Sequence, residues 1–274
     1  MVNNSLHIMK LSFRLEFQSQ TRLPTFIGNT IRGALGAALS REYCIYEKQQ
    51  CVECAYIKDC IYGSVFKVQN EESIPNPYVV SSPYPSQGSY EKGDTLDFSI
   101  SLFGSACRFV NELVDATNLM CTGNLKNAKL IDANLEYNRE WSDEGAESIE
   151  YCDNITIHFD SPVEMISRNE ALKDITFGQL IDSLFGRIAG IIDNYSDKEF
   201  VIPYSLLGRK PYVEAKSQLR SVRFSMGSQA IEGVIGTISY FGDMTRYLPY
   251  IDLGTQLHIG KKTTRGFGEY SFEI

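Results

Sequence analysis

HIMKLSFRLEF, residues 7–17, is where the fold becomes legible. Met9, Leu11, Phe13, Leu15 and Phe17 fall on one side of an extended backbone and Lys10, Ser12, Arg14 and Glu16 on the other, the period of a half-buried strand. Beyond Pro24 the period changes. Ile31, Ala34, Leu35, Ala38 and Leu39 recur at three and four residues, which predicts an amphipathic helix. Residues 77–85, with Pro77, Pro83 and Pro85 around Tyr78, Val79 and Val80, predict a short edge strand. Leu96, Phe98, Ile100 and Leu102 alternate with polar residues as a further strand. Residues 106–120 predict a helix through Phe109, Val110, Leu113 and Val114, and residues 128–138 a last strand before the polar, acidic stretch 139–150.

The pattern then restarts. Ile155, Ile157 and Phe159 alternate with Thr156 and His158; a helix follows from Phe177 to Tyr195 on the stripe Leu180, Ile181, Leu184, Phe185, Ile188 and Ile191. Strands are expected near 212–225 and 231–241, a short helix at 243–253, and a closing strand through Tyr270, Phe272 and Ile274. One order, strand–helix–strand–strand–helix–strand, occurs twice. It predicts an α+β chain of two tandem ferredoxin-like (RRM-like) βαββαβ domains, residues 1–150 and 151–274, with a cysteine-rich insertion (about 43–76) after the first helix.

The 274 residues give each domain room for a core, and 43% are hydrophobic. No run of eighteen apolar residues occurs, and MVNNSLHIMK lacks the apolar stretch of a signal peptide, so a cytoplasmic protein without a membrane partner is expected. The net charge of −8 disfavours a protein coated in cations for nucleic acid. The charge is uneven, however. Residues 201–274 hold nine Lys+Arg and six Asp+Glu, a balance of +3, leaving −11 for residues 1–200. A polyanion would meet the C-terminal quarter.

Seven cysteines are an odd number and too few for a disulfide scaffold, and four of them crowd together as Cys44-x6-Cys51-x2-Cys54-x5-Cys60. Four thiolates meet the ligand count of a structural zinc site, and an iron–sulfur cluster takes the same number. Either would fix the insertion. Cys107, Cys121 and Cys152 are scattered and read as small buried hydrophobes.

In LHIGKKTTRGFGEYSF, residues 257–272, Gly260, Gly266 and Gly268 enclose Lys261, Lys262, Thr263, Thr264 and Arg265. Glycines let successive N–H groups turn toward an anion, and cations and hydroxyls complete a phosphate cradle. A glycine-rich turn with a solvated basic tip is the plainer alternative. Arg209, Lys210, Lys216, Arg220 and Arg223 make residues 209–223 a basic arm suited to tracking phosphates, with Tyr212 and Phe224 as stacking platforms or core residues.

RFSMGSQAIEGVIGTISYFGDMTRYLPYIDLGTQLHIGKKTTRGFGEYSF, residues 223–272, resembles the C-terminal half of the CRISPR-associated RAMP endoribonucleases that process precursor CRISPR RNA. The Arg223-x-Ser225 start, the EGVIGTISY strand, the Leu-Gly helix end and the glycine loop carry the likeness. LPTFIGNTIRGALGAAL, residues 23–39, is similar to the first-helix motif of RAMP proteins, with Gly28, Arg32 and Gly33 in place. The resemblance implies a nuclease needing no metal, in which a ribose 2′-hydroxyl attacks the adjacent phosphate and leaves a 2′,3′-cyclic phosphate. It implies CRISPR repeat RNA as substrate and other CRISPR-associated proteins or a second copy as partners. Family members often place a catalytic histidine on or just after the first helix, and here none stands between Phe13 and Tyr62. The histidines are His7, His158 and His258. Arg32, Tyr43, Lys48 and His258 are therefore the catalytic candidates, a tyrosine or lysine serving if nearby cations lower its pKa. Two other readings stay open: a non-catalytic RAMP subunit that binds CRISPR RNA, and a metal-stabilised interaction protein.

Overall fold

The computed structural model describes residues 4–46, 51–67, 74–123, 125–144, 151–167, 170–203, 206, 211–226 and 229–274. Contacts divide the chain into two units, one of Leu6–Glu140 with Asn194–Ser196, the other of Met1–Ser5, Trp141–Asp193 and Asp197–Ile274.

The first unit runs β1 (Ser5–Phe17), β2 (Thr21–Arg22), α1 (Gly28–Tyr43), β3 (Tyr78–Ser81), β4 (Ser89–Tyr90), β5 (Thr95–Phe103), α2 (Val110–Met120) and β6 (Ala128–Ser142). Its main sheet has the order β3-β5-β1-β6, and β2 pairs with β4 as a separate ribbon. β1 lies antiparallel to β5 with Phe13 opposite Phe98, their rings stacked at 5.2 Å. Arg14 opposite Asp97 closes a 2.6 Å ion pair on the polar face. The alternation read from residues 7–17 thus places Leu11, Phe13, Leu15 and Phe17 in one core with Ile31, Leu35 and Leu39 of α1 and Leu113 and Met120 of α2. Cys107 and Cys121 join that core, and burial pushes the Cys107 thiol up to about 12, so it packs as a hydrophobe. The expected helix over 106–120 begins instead as a 3-10 turn, Gly104–Phe109. Gly104 sits at φ 56°, and a Cβ there would lie 1.9 Å from the Tyr195 carbonyl oxygen.

The second unit runs β7 (Asn154–Val163), β8 (Ile166–Ser167), β9 (Glu170–Ala171), α3 (Phe177–Tyr195), β10 (Glu214–Met226), β11 (Gln229–Phe241), α4 (Leu248–Leu257) and β12 (Tyr270–Glu273). The sheet order β10-β11-β7-β12 repeats that of the first unit strand for strand, and β8 pairs with β9. Both units therefore have the ferredoxin-like topology. Ile155, Ile157 and Phe159 are buried with Leu180, Leu184 and Ile188 of α3 and Ile251 and Leu257 of α4. The β7–β11 register shifts between Val234 and Gly236, a bulge that Gly236 accommodates at φ 127°. The units divide after Glu140, where the sequence suggests 150. Trp141 is buried edge-on to Tyr250 at 5.9 Å, and Asp143 accepts hydrogen bonds from Asn4 and from the Tyr250 hydroxyl at 2.7 Å.

No helix among the described residues is long and apolar enough to cross a membrane.

Candidate functional site

The glycine loop is built as a closed lariat in the second unit. The Ile259 N–H donates to the Gly268 carbonyl at 2.9 Å and shuts the loop. Gly268 N–H then donates to Pro162 O at 2.9 Å, and Lys261 N–H to Glu164 O at 2.8 Å, clipping it to the end of β7. Inside, Arg265 N–H reaches Lys262 O and Gly266 N–H reaches Thr263 O, making a 3-10 turn over Thr263–Arg265 with left-handed residues at Lys262 (φ 61°) and Gly266 (φ 87°). Gly260, at φ 75°, lies where a Cβ would meet Glu164 O at 2.5 Å.

This wiring occupies part of the expected nest of N–H groups. Those of Ile259, Lys261, Arg265, Gly266 and Gly268 are engaged by carbonyls of the protein itself. Of the cations, Lys261 is exposed and Arg265 half-buried. Lys262 forms a short ion pair with Glu164, whose side chain is only 10% exposed. Thr263 is buried and Thr264 half-buried.

His258 does not face solvent. It is 1% exposed, holds φ 59° at the end of α4, and its Nδ1–H donates to the Phe267 carbonyl at 3.1 Å. That arrangement braces the loop from beneath.

Along β10, Lys216 and Arg220 are exposed on an edge strand, four residues apart and so on one face. Lys216 lies over the Phe241 ring at 4.8 Å, Arg223 pairs loosely with Glu232 at 3.7 Å, and Tyr212 is 90% exposed. Phe224 packs edge-on against Phe267 at 6.0 Å, a structural contact under the loop. Arg209 and Lys210 lie outside the described residues.

In the first unit, α1 brings Arg32 over the Phe66 ring at 4.9 Å with its Nε buried. Phe66 also stacks on Tyr78 at 5.3 Å and fills the space that a side chain at Gly36 would need. Tyr43 ends the helix, its hydroxyl 3.5 Å from Asp115. The sequence suggests a Tyr43 pKa lowered by cations; burial, then Asp115 and Glu112, raise it instead. Lys48 lies outside the described residues.

The four clustered cysteines line one cavity of about 450 Å³ together with Tyr43, Tyr46 and Tyr56. They do not converge on a point: among the described residues no three His, Cys, Asp or Glu side chains could hold a metal ion. The Cys44 thiol turns to the Tyr46 carbonyl at 3.1 Å and the Cys60 thiol toward the Tyr43 carbonyl at 3.9 Å. Burial and the neighbouring thiols of Cys44 and Cys60 raise Cys51. The expected zinc or iron–sulfur site is thus not formed among the described residues, and the segment is anchored by buried Ile61, Val65 and Phe66.

Residues 6–143 match the N-terminal domain family AF_1859_N, half of the chain, and residues 157–270 match the CRISPR-associated endoribonuclease Cas6. The chain belongs to the AF_1859_N family through its N-terminal half, and its C-terminal portion is similar to Cas6. The Cas6 match takes in β7 from Ile157 onward, both helices of the second unit and the whole glycine loop. An uncharacterised protein of Archaeoglobus fulgidus is 30% identical over 114 residues, which are 40% of this chain and 39% of that protein; the match thus spans about two fifths of the curated relative's length. Among solved structures, Thermus thermophilus Cas6 superimposes with a TM-score of 0.62 at 14% identity, covering 98% of this chain and 99% of that one. A chain of a partial Cas6-RT-Cas1–Cas2 complex gives 0.66 at 13% identity, with 98% of this chain and 46% of that one covered. A Cas6 substrate-mimic complex gives 0.57 at 14%, with 97% and 99% covered. At these identities the likeness is one of fold. Sequence reading marked the loop and the likeness of the C-terminal portion but missed Glu164, which stands 98 residues from its partner Lys262 with no motif to mark it.

Proposed function

We propose that the chain binds CRISPR repeat RNA and cuts precursor CRISPR RNA within the repeats, without a metal, by attack of a 2′-hydroxyl that leaves a 2′,3′-cyclic phosphate. The observation that carries this reading is the coincidence of the Cas6 match with the segment that builds the clipped glycine loop. Lys261, Thr264 and Arg265 on that loop, with Lys216, Arg220 and Arg223 on β10, hold phosphates; Tyr212 stacks on a base. Other CRISPR-associated proteins are the expected partners.

Three of the four catalytic candidates have a narrowed role. A Tyr43 hydroxyl whose pKa is raised stays protonated at neutral pH, so it serves as a donor to the leaving 5′-oxygen and not as the base. Arg32 clamps charge from above Phe66, and His258 positions the loop. Tyr43→Phe is expected to slow cutting by about 100-fold with RNA affinity unchanged. The sign follows from the shift: a donor whose pKa lies above its ordinary 10.0 gives no loss of rate on its own account until pH exceeds that value, which a rate profile of the wild type checks.

Glu164 neutralises Lys262 in the free protein. Glu164→Gln is expected to tighten RNA binding and to steepen the dependence of log affinity on log salt by about one. Fluorescence anisotropy across a salt series reads both.

A second reading, a non-catalytic subunit that holds CRISPR RNA, is favoured by the raised Tyr43 and by the burial of His258 away from solvent. Incubating the protein with a repeat-containing RNA and EDTA, then mapping product ends, separates the two. A single cut with a cyclic phosphate supports the nuclease, binding without cutting supports the subunit, and neither binding nor cutting removes both for that repeat.

A further inference from the structure

β6 is the last strand of its sheet, and among the described residues no strand pairs with its outer edge. Fifteen residues long, it is exposed at nearly every position from Ile131 to Glu140. An edge of that length presents a row of backbone donors and acceptors to any second strand, and soluble proteins usually blunt such edges with charge. On β6 the charges leave an apolar pair between them. Ile131 and Leu135 are 45% and 52% exposed, and four residues apart they share a face of the strand with Ala133 between them.

We propose that β6 is the edge along which two copies of this chain pair, antiparallel about a two-fold axis through Ala133. A two-fold pairing must match the strand to itself, so its charges test each register. Centred on Asp132 or Glu136, it sets that carboxylate against its own copy. Centred on Asn134, it opposes Asp132 to Glu136 and Lys129 to Arg139. Centred on Leu135, it sets Ile131 against Arg139. Centred on Ala133, it sets Ile131 opposite Leu135 twice over, Asp132 opposite Asn134 and Lys129 opposite Tyr137, with no like charges facing. Asn134 already donates to Asp132 at 2.8 Å within the strand, and the same chemistry serves across the axis. Cross-strand apolar pairs of this kind are the unit of sheet stabilisation. The sheet then continues through both copies, and the smallest side chain in the segment lies on the axis.

The proposal does not depend on RNA. Sedimentation of the full chain without RNA is expected to give twice the monomer mass at high concentration, and Leu135→Lys, an exposed change that leaves the core intact, to return it to monomer. Register is read separately by introduced cysteines. Ala133→Cys brings two Cα atoms to about 4.5–5.5 Å across the axis and is expected to give a disulfide-linked dimer on mild oxidation, the two introduced thiols joined to each other in the mapped peptide. Leu135→Cys places its two copies about 13 Å apart along the strands and is expected to yield no such link. A monomer at every concentration, a dimer that Leu135→Lys leaves unchanged, a dimer formed only when RNA is added, or equal crosslinking at both positions would each overturn it.

Discussion

Gly268→Ala is expected to cost about 3 kcal/mol of stability and to abolish tight RNA binding. Gly268 holds φ 75°, and a Cβ there would lie 1.8 Å from the Ile259 carbonyl oxygen and 2.8 Å from the Ile259 nitrogen. Both obstacles are backbone, which no rotamer change relieves. The same residue accepts the Ile259 N–H and donates to Pro162, so displacing it opens the lariat and unclips it from β7 together. Lys261, Thr264 and Arg265 then lose the frame that orients them. Urea unfolding reads the stability and anisotropy the affinity. An unchanged midpoint would show that the loop does not depend on this closure.

The second large effect is expected on β10. Replacing Lys216 and Arg220 together by Glu should weaken RNA binding by about 100-fold at moderate salt and flatten the salt dependence by about two. These side chains share one exposed face of an edge strand about 13 Å apart, which suits two separate phosphates. Basic residues also protect sheet edges from aggregation, and that role alone predicts loss of solubility with affinity intact. Binding measured on the soluble fraction distinguishes the two.

Much of this architecture is legible in the sequence because it rests on period. Alternation at Met9–Phe17 and Ile155–Phe159, each followed by a helical stripe, specifies the repeated order and the buried faces without tertiary information. Departures come where an element answers to a distant neighbour. The Leu-Gly pair at 253–254 reads as a helix end, yet α4 continues to Leu257, because Gly254 leaves room for the Tyr270 hydroxyl and the Leu184 side chain. Tyr270 in turn donates to Ile251 at 2.6 Å. Likewise β6 extends to Ser142, past the predicted 138, into the segment where Trp141 is buried against Tyr250.

The site is legible in composition and not in wiring. Glycines and cations at 260–268 identify the loop, but the neutralisation of Lys262 depends on Glu164. Tyr43 draws attention by its place at the end of α1, while its pKa is set by burial and by Asp115 and Glu112, carboxylates contributed by α2. The spacing of Cys44, Cys51, Cys54 and Cys60 meets a ligand count, and spacing alone does not say whether the sulfurs converge. Here they line the wall of a cavity.

The central claim is that this chain cleaves RNA through the substrate's own 2′-hydroxyl. Its most direct test compares a repeat RNA with the same RNA carrying a single 2′-deoxy nucleotide at the mapped cut, both in EDTA. The account predicts one cut with a cyclic-phosphate end in the first, none in the second, and equal binding of both. Cutting of the deoxy substrate at the same position, or loss of all cutting in EDTA, would contradict it.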